Sequence, residues 1–599
     1  MKKTMAAVCT ALALTACSLG GQLNESARAE SQWDMSEYFS DRDLAYDWES
    51  RDPVDMTLDN GSVTITEAGV YVLSGKIEDG SVTGDAADDA KVELVLKGVD
   101  ISCSSSAGIL VENADKVFIT LADGTENRVA CTGLTGEDGV DAAIFARDDI
   151  VFGGSGALTV VSPEGHGIVG KDDVKFVDGQ YVIQARDRGI DANDSVRVAG
   201  GSFDITSGKD GIRAKNEEDE EKGYVILFGG EYDITAGGGA GEGETHRTDN
   251  WGWGRQAQSV SQDNSVSMKG IKASGDLTVL GGTYTIDSAD DALHTDKDMT
   301  VEGGSMTLST GDDGMHADGT LTISGGQIDI AQSYEGIEGT VIDISGGEIG
   351  INASDDGLNA AGGSDQSGFG FRDMFTSDGT SSIAISGGTL YINASGDGID
   401  SNGDLAVSGG TVVVSGSANS GNGALDYAGS ASITGGAFIA AGASGMAQGF
   451  GNGSTQASAM VTLRGQAGEI QVKNAKGEVI LSGTVDKGFD CVVVSCPEMA
   501  VGESYTVTSG ASQAQVEMTG IVTGGMGMGG FGGGRQGGGF GGGMQGPQGG
   551  TDEGQMPQDG FPGGERDGGP QGGFPGGQQG GFGGERQGGF GGGMGGRGH

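Results

Sequence analysis

Acidic residues recur at matched positions through the middle of this 599-residue chain. Asp290-Asp291, Asp312-Asp313, Glu335, Asp355-Asp356 and Asp397 each stand immediately before a small residue: Ala292, Gly314, Gly336, Gly357 and Gly398. The first four small residues are 22, 22 and 21 positions apart. Stacked on successive turns about 4.8 Å apart, these carboxylates repel strongly unless positive charge lies between them. Ca2+ is the natural neutraliser: it takes hard oxygen ligands in flexible number, and corner carbonyls and water complete its shell. Calcium is therefore the expected cofactor, with Asp290, Asp291, Asp312, Asp313, Glu335, Asp355, Asp356 and Asp397 as candidate ligands. The plainer alternative is a solvated acidic edge that discourages aggregation. Neither an EF-hand loop nor the nonapeptide calcium repeat occurs.

Two residues past each corner runs a second row: Asp141, Asp191, Arg213, Lys272, His294, His316, Glu338, Asn359 and Asp400. It is expected to point outward, toward water or a ligand. His294 and His316 are neighbours in it, and a metal or catalytic pair is the sharper reading of them. Two stretched intervals interrupt the period. Residues 237–265 hold Trp251 and Trp253, and residues 362–380 hold Phe369, Phe371 and Arg372. Exposed aromatics offer sugar rings an apolar face with a polar handle, and long loops on a regular scaffold are where function tends to sit. Packing of the tryptophans against the scaffold is the alternative. Lys272, His294, His316, Trp251, Trp253, Phe369, Phe371 and Arg372 are the candidate carbohydrate contacts.

These residues need a repeating scaffold. Each block holds three short apolar alternations, such as Met315/Ala317, Leu321/Ile323 and Ile328/Ile330, with polar partners between. Period-2 alternation puts the apolar set on one side. Three short strands with glycine corners every 22 residues describe one coil of a solenoid. The Gly-Gly pair between second and third strands supplies a left-handed corner. The fold expected is all-β, a parallel β-helix, right-handed by the general crossover preference. It should occupy 54–458, followed by a small antiparallel β cap over 459–522. The Gly-rich run 523–599 cannot bury a core and is expected to be disordered.

The N-terminus, with Lys2-Lys3, an apolar run from Met5 to Leu14 and then Leu14-Thr-Ala-Cys17, resembles a bacterial lipobox. Residues 1–16 would be a signal peptide. Cys17 would carry lipid and anchor the chain to a membrane without spanning it, with 17–53 as anchor and spacer. An extracellular, membrane-anchored location follows. The net charge of −51 argues against nucleic acid and anionic lipid as partners. Export permits disulfides, and Cys491 and Cys496 are close in sequence; Cys103 and Cys131 complete the set.

Val92-Glu-Leu-Val-Leu-Lys-Gly-Val-Asp-Ile, Asn113-Ala-Asp-Lys-Val-Phe-Ile-Thr-Leu, the Asp-Asp-Gly coils and Gly368-Phe-Gly-Phe together give the chain a family look. Over roughly 54–522 it resembles the secreted calcium- and carbohydrate-binding β-helix proteins of clostridia and their relatives, which share the pectate-lyase fold. The resemblance implies binding of acidic plant polysaccharide without catalysis, and it carries over only the acidic column as calcium ligands. Glu335, behind Tyr334, departs from the paired-acid pattern. Bridging calcium would let an acidic protein hold a polyanion such as polygalacturonate; cellulose is a further candidate glycan. Two rivals stand beside this reading. One is a lyase, with Lys272, Lys297 or Arg372 as base, or a hydrolase using Asp148-Asp149, Gly165-His166-Gly167 and Arg213-Ala-Lys215. The other is a structural adhesin with no glycan ligand.

Overall fold

The computed structural model describes residues 33–524 apart from 46, 60, 137–138, 243–265 and 362–378. The leader with Cys17, the inserted Trp251, Trp253, Phe369, Phe371 and Arg372, and the tail from 525 lie outside the described residues.

The chain is all-β and dominated by one long, parallel-paired sheet, as in a β-helix or solenoid. Each coil contributes three strands, for example Leu293–Thr295, Met299–Val301 and Ser305–Thr310. Each strand pairs with its counterpart one coil on. Along the third strand the inward residues Tyr284, Met306, Ile328, Ile349, Leu390, Val412 and Phe438 stand in one register line. All are at most 2 % exposed, so one continuous apolar column replaces a globular core. In two coils the first and second strands run together, as Met315–Ile323 and Ile337–Ile344.

Glycine does two jobs at the corners. The second of each Gly-Gly pair takes positive φ, +98° at Gly326 and +90° at Gly347. The corner after the acidic column is tight for another reason: a Cβ on Gly336 would lie 2.3 Å from the Gly357 carbonyl oxygen of the next coil.

The solenoid ends in an antiparallel unit. Ala437–Gly442 pairs with Phe489–Ser495, which also pairs with Ser458–Gly465. A separate sheet joins Val479–Val485, Gly468–Lys473, Ser504–Ser509 and Ser512–Glu517. This antiparallel pairing begins within the last coil, at Ala437–Gly442. Cys103, Cys131, Cys491 and Cys496 are buried free thiols. Five residues of extended chain put Cys491 and Cys496 on opposite faces and about 16 Å apart, which explains why they do not pair.

The spacer is docked from residue 33 onward. Phe39, 2 % exposed, packs with Phe118, Val151, Ile226 and Phe228 on the outside of the second strands. Charges secure it: Asp43 lies 3.2 Å from Lys116 and 3.5 Å from Lys175, and Glu93 receives both Arg42 and Arg51 at 2.7 Å.

Candidate metal centre

The acidic column is built by the backbone. Gly270 N donates to Asp291 O, Ala292 N to Asp313 O, Gly314 N to Glu335 O, Gly336 N to Asp356 O and Gly357 N to Asp397 O, all at 2.9–3.0 Å. Side chains add a second ladder. Asp291 Oδ1 accepts from Asp313 N at 3.0 Å, Asp313 Oδ1 from Glu335 N at 3.3 Å, and Asp356 Oδ1 from Asp397 N at 2.5 Å. Asp397 does the same to Gly423 N. One oxygen of each of these carboxylates is thus fixed by the next coil, while the other oxygen of Asp291 and of Asp313 faces the second row, at His294 and His316. In the outer line, Tyr334 N donates to Asp312 O and Asp355 N to Tyr334 O, so Tyr334 interrupts the paired acids where the sequence departs from the pattern.

The second row is also real: Asp191, Arg213, Lys272, His294, His316, Glu338, Asn359, Asp400 and Asp426 are successive register partners. Two expectations about it need correction. Val169, two residues past the Gly167 corner, precedes Asp191, and Phe145 rather than Asp141 precedes Val169, because the register is shifted in that earlier coil. Nor does the row point freely outward: His294, His316, Glu338 and Asn359 are 2 %, 1 %, 5 % and 4 % exposed. The imidazoles stack, centroids 4.8 Å apart at 19°, and the carboxylates on either side close over them.

Row and column together divide into two electrostatic halves. Upstream, the protein supplies its own cations. Arg188 Nε lies 2.7 Å from Asp210, and Lys269 Nζ lies 2.6 Å from Asp291 and 3.0 Å from Asp290. Lys272 lies 3.2 Å from Asp296. Arg213 and Lys215 both bind Asp191, at 2.7 and 2.6 Å. Burial pushes the Asp191 carboxyl up, but these two cations outweigh it and hold it at about 2. Burial likewise opposes ionisation of Asp291, and Lys269 with His294 overrides it.

Downstream, Arg372 is the only lysine or arginine between Lys297 and Arg464. Burial, reinforced by neighbouring carboxylates, pushes Glu335, Asp356 and Asp397 far above the usual carboxyl range. The same causes bring Asp400 to about 7, and burial raises Asp426. Ligand atoms of Asp356, Asp397 and Asp400 lie within 4.8 Å of one another; those of Asp290, Asp291 and Asp312 upstream come as close, but Lys269 already stands against the first two. Asn359 donates through Nδ2 to Glu335 Oε2 at 2.5 Å, yet its buried Oδ1 has no hydrogen-bond partner among the described residues. A buried acceptor without a donor is costly. Among crowded carboxylates it is an oxygen ligand suited to a cation, so this donor set fits calcium.

Glu338, Asn359, Asp400 and Asp426 extend the candidate site beyond the expected ligands. Their signal was the row itself, whose register continues past Asp397. Asp426 escapes counting because the last corner is displaced by one, Ile399 N donating to Ala424 O rather than to the Gly423 carbonyl. Lys297 donates to the Glu220 carbonyl at 3.0 Å. Of the hydrolase-like residues, Arg213 and Lys215 are engaged by Asp191, while Asp149 stands on a different strand stack beside Lys116.

These features define a parallel β-solenoid bearing a rank of carboxylates along one line of corners. The chain belongs to the carbohydrate-binding domain-containing protein family, whose profile matches residues 59–314 and 313–487. A carbohydrate-binding domain-containing protein of Acetivibrio thermocellus is 34% identical over 288 residues, which are 46% of this chain and 94% of that protein. A solved polysaccharide lyase-like protein from C. thermocellum, studied as a gadolinium derivative, is 27% identical. It matches 45% of this chain and 96% of its own, with a TM-score of 0.33.

Proposed function

We propose that this protein is a cell-surface, calcium-dependent binder of polysaccharide, with acidic glycans such as polygalacturonate as its ligands. In this reading the β-helix is right-handed and exported, and Cys17 carries the lipid that anchors it. Family membership supports carbohydrate as the partner. The observation that carries calcium is the downstream half of the column: Glu335, Asp356, Asp397 and Asp400 crowd one another, and the Oδ1 of Asn359, which bonds Glu335 and pairs in register with Asp400, has no hydrogen-bond partner among the described residues.

When bound, calcium supplies positive charge and open coordination positions that uronate carboxylates fill. The chain's own part is positioning. The column carboxylates are held by the amides of the following coil, so their remaining oxygens are set before any ligand arrives. Upstream, Lys269, Lys272, Arg213 and Lys215 neutralise acids within the protein and leave that half without need of metal.

Electrophoresis through a gel containing polygalacturonate, run with calcium and with chelator, tests the reading. Migration retarded only with calcium is expected; unretarded migration in both gels rejects it in favour of an adhesin role, and equal retardation in both rejects the calcium dependence. Unsaturated product absorbing at 235 nm, or new reducing ends, would instead make the protein a lyase or a hydrolase.

A further inference from the structure

His316 differs from its stacked neighbour in what faces its ring. Nε2 lies 3.2 Å from Asp318 Oδ1, on the solvent side. Nδ1 lies 3.1 Å from Asp313 Oδ2 and 3.0 Å from Glu338 Oε2. A metal ion that takes the place of the Nδ1 proton, with Nε2–H donated to Asp318, faces the Nδ1 lone pair and two carboxylate oxygens together, all three being acceptors. A single proton on Nδ1 lies along one line and serves one acceptor well; a metal ion serves all three at once. Donors about 3.0 Å apart are neighbouring corners of an octahedron with bonds of ~2.1 Å, the usual length from nitrogen or carboxylate oxygen to a small divalent ion. The ligand atoms of Asp313, His316 and Glu338 all lie within 4.8 Å of one another.

His294 has the same sequence setting but a different outcome. Its Nδ1 lies 2.8 Å from Asp291 Oδ2, and that same oxygen already takes Lys269 Nζ at 2.6 Å. An ammonium group stands where a metal would be needed. The calcium-type sites downstream offer only oxygen, whereas imidazole suits ions of the first transition row. A ligating histidine whose other N–H is held by a carboxylate is the common second-shell arrangement of such sites, and Asp318 provides it.

We infer that Asp313, His316 and Glu338 form a mixed nitrogen–oxygen site for a divalent first-row transition metal ion, with Asp318 as the positioning residue. The ion joins the coil of Met315–Ile323 to that of Ile337–Ile344. It marks the boundary between the lysine-compensated coils and the oxygen-only ones, and it does not depend on glycan binding.

The test uses the full chain, stripped with chelator, saturated with calcium and titrated with Co2+, whose visible absorption reports nitrogen ligation. About one equivalent is expected to bind, and Zn2+ is expected to displace it. His316→Asn should weaken binding at least tenfold, with its fold checked by circular dichroism. Asp318→Asn, at a partly exposed position that leaves the core intact, should weaken it about tenfold. His294→Asn should leave it unchanged. Absence of Co2+ binding in excess calcium, undiminished binding in both His316→Asn and Asp318→Asn, or loss in His294→Asn would overturn the inference. Failure of the polygalacturonate gel would leave it standing.

Discussion

Asp191 shows how a buried acid can be made stable without metal. It is 1 % exposed, and Arg213 and Lys215 hold it ionised down to about pH 2. Its folded pKa is depressed, so its contribution to stability is present above the ordinary carboxyl range near pH 4 and is lost as pH falls through about 2. Asp191→Asn should therefore cost about 2 kcal/mol at pH 7, read as a lowered melting temperature. The gap between variant and parent should close at pH 2. A gap that persists unchanged at pH 2 would show that the residue acts through packing. Downstream acids such as Asp356 and Asp400 have the opposite disposition, raised by burial and by one another. Residue type alone does not separate the two cases, since all are aspartates before or after a small corner residue.

At the scale of the element, the corner decides whether coils stack. Gly336 has no room for a side chain because the Gly357 carbonyl of the next coil approaches where its Cβ would be. Gly336→Ala should cost about 3 kcal/mol through backbone displacement. It should also weaken calcium binding, since Gly336 N donates to the Asp356 carbonyl within the column. Melting and calcium titration of one variant would check both, and a neutral substitution would show that the stack yields locally. The period and the alternation, and with them three strands per coil, were legible in the sequence. The fusion of first and second strands in Met315–Ile323 and Ile337–Ile344 was not, because whether a short corner breaks a ladder depends on its neighbours above and below.

At the scale of the molecule, stability should follow the cation supply. A solenoid's coils contact only their neighbours, so repulsion in the coils from Glu335 to Asp426 is not diluted by distant contacts. Calcium bound to the folded chain raises stability by mass action. The melting temperature should therefore rise by several degrees between chelator and millimolar calcium. In chelator, added salt should recover part of that rise by screening. Identical melting in chelator and in calcium would remove the basis for the metal.

The sequence by itself determined the repeat, its strand alternation, the glycine corners and the existence of an acidic column, because these depend on local periodicity and on backbone sterics. The tertiary structure alone decided which acids are compensated. Lys269 reaches Asp291 across 22 residues, Arg213 and Lys215 reach Asp191 from the next coil, and His316 is buried between Asp313 and Glu338. Those pairings depend on register between coils, and a charge is neutralised by what stands beside it in space.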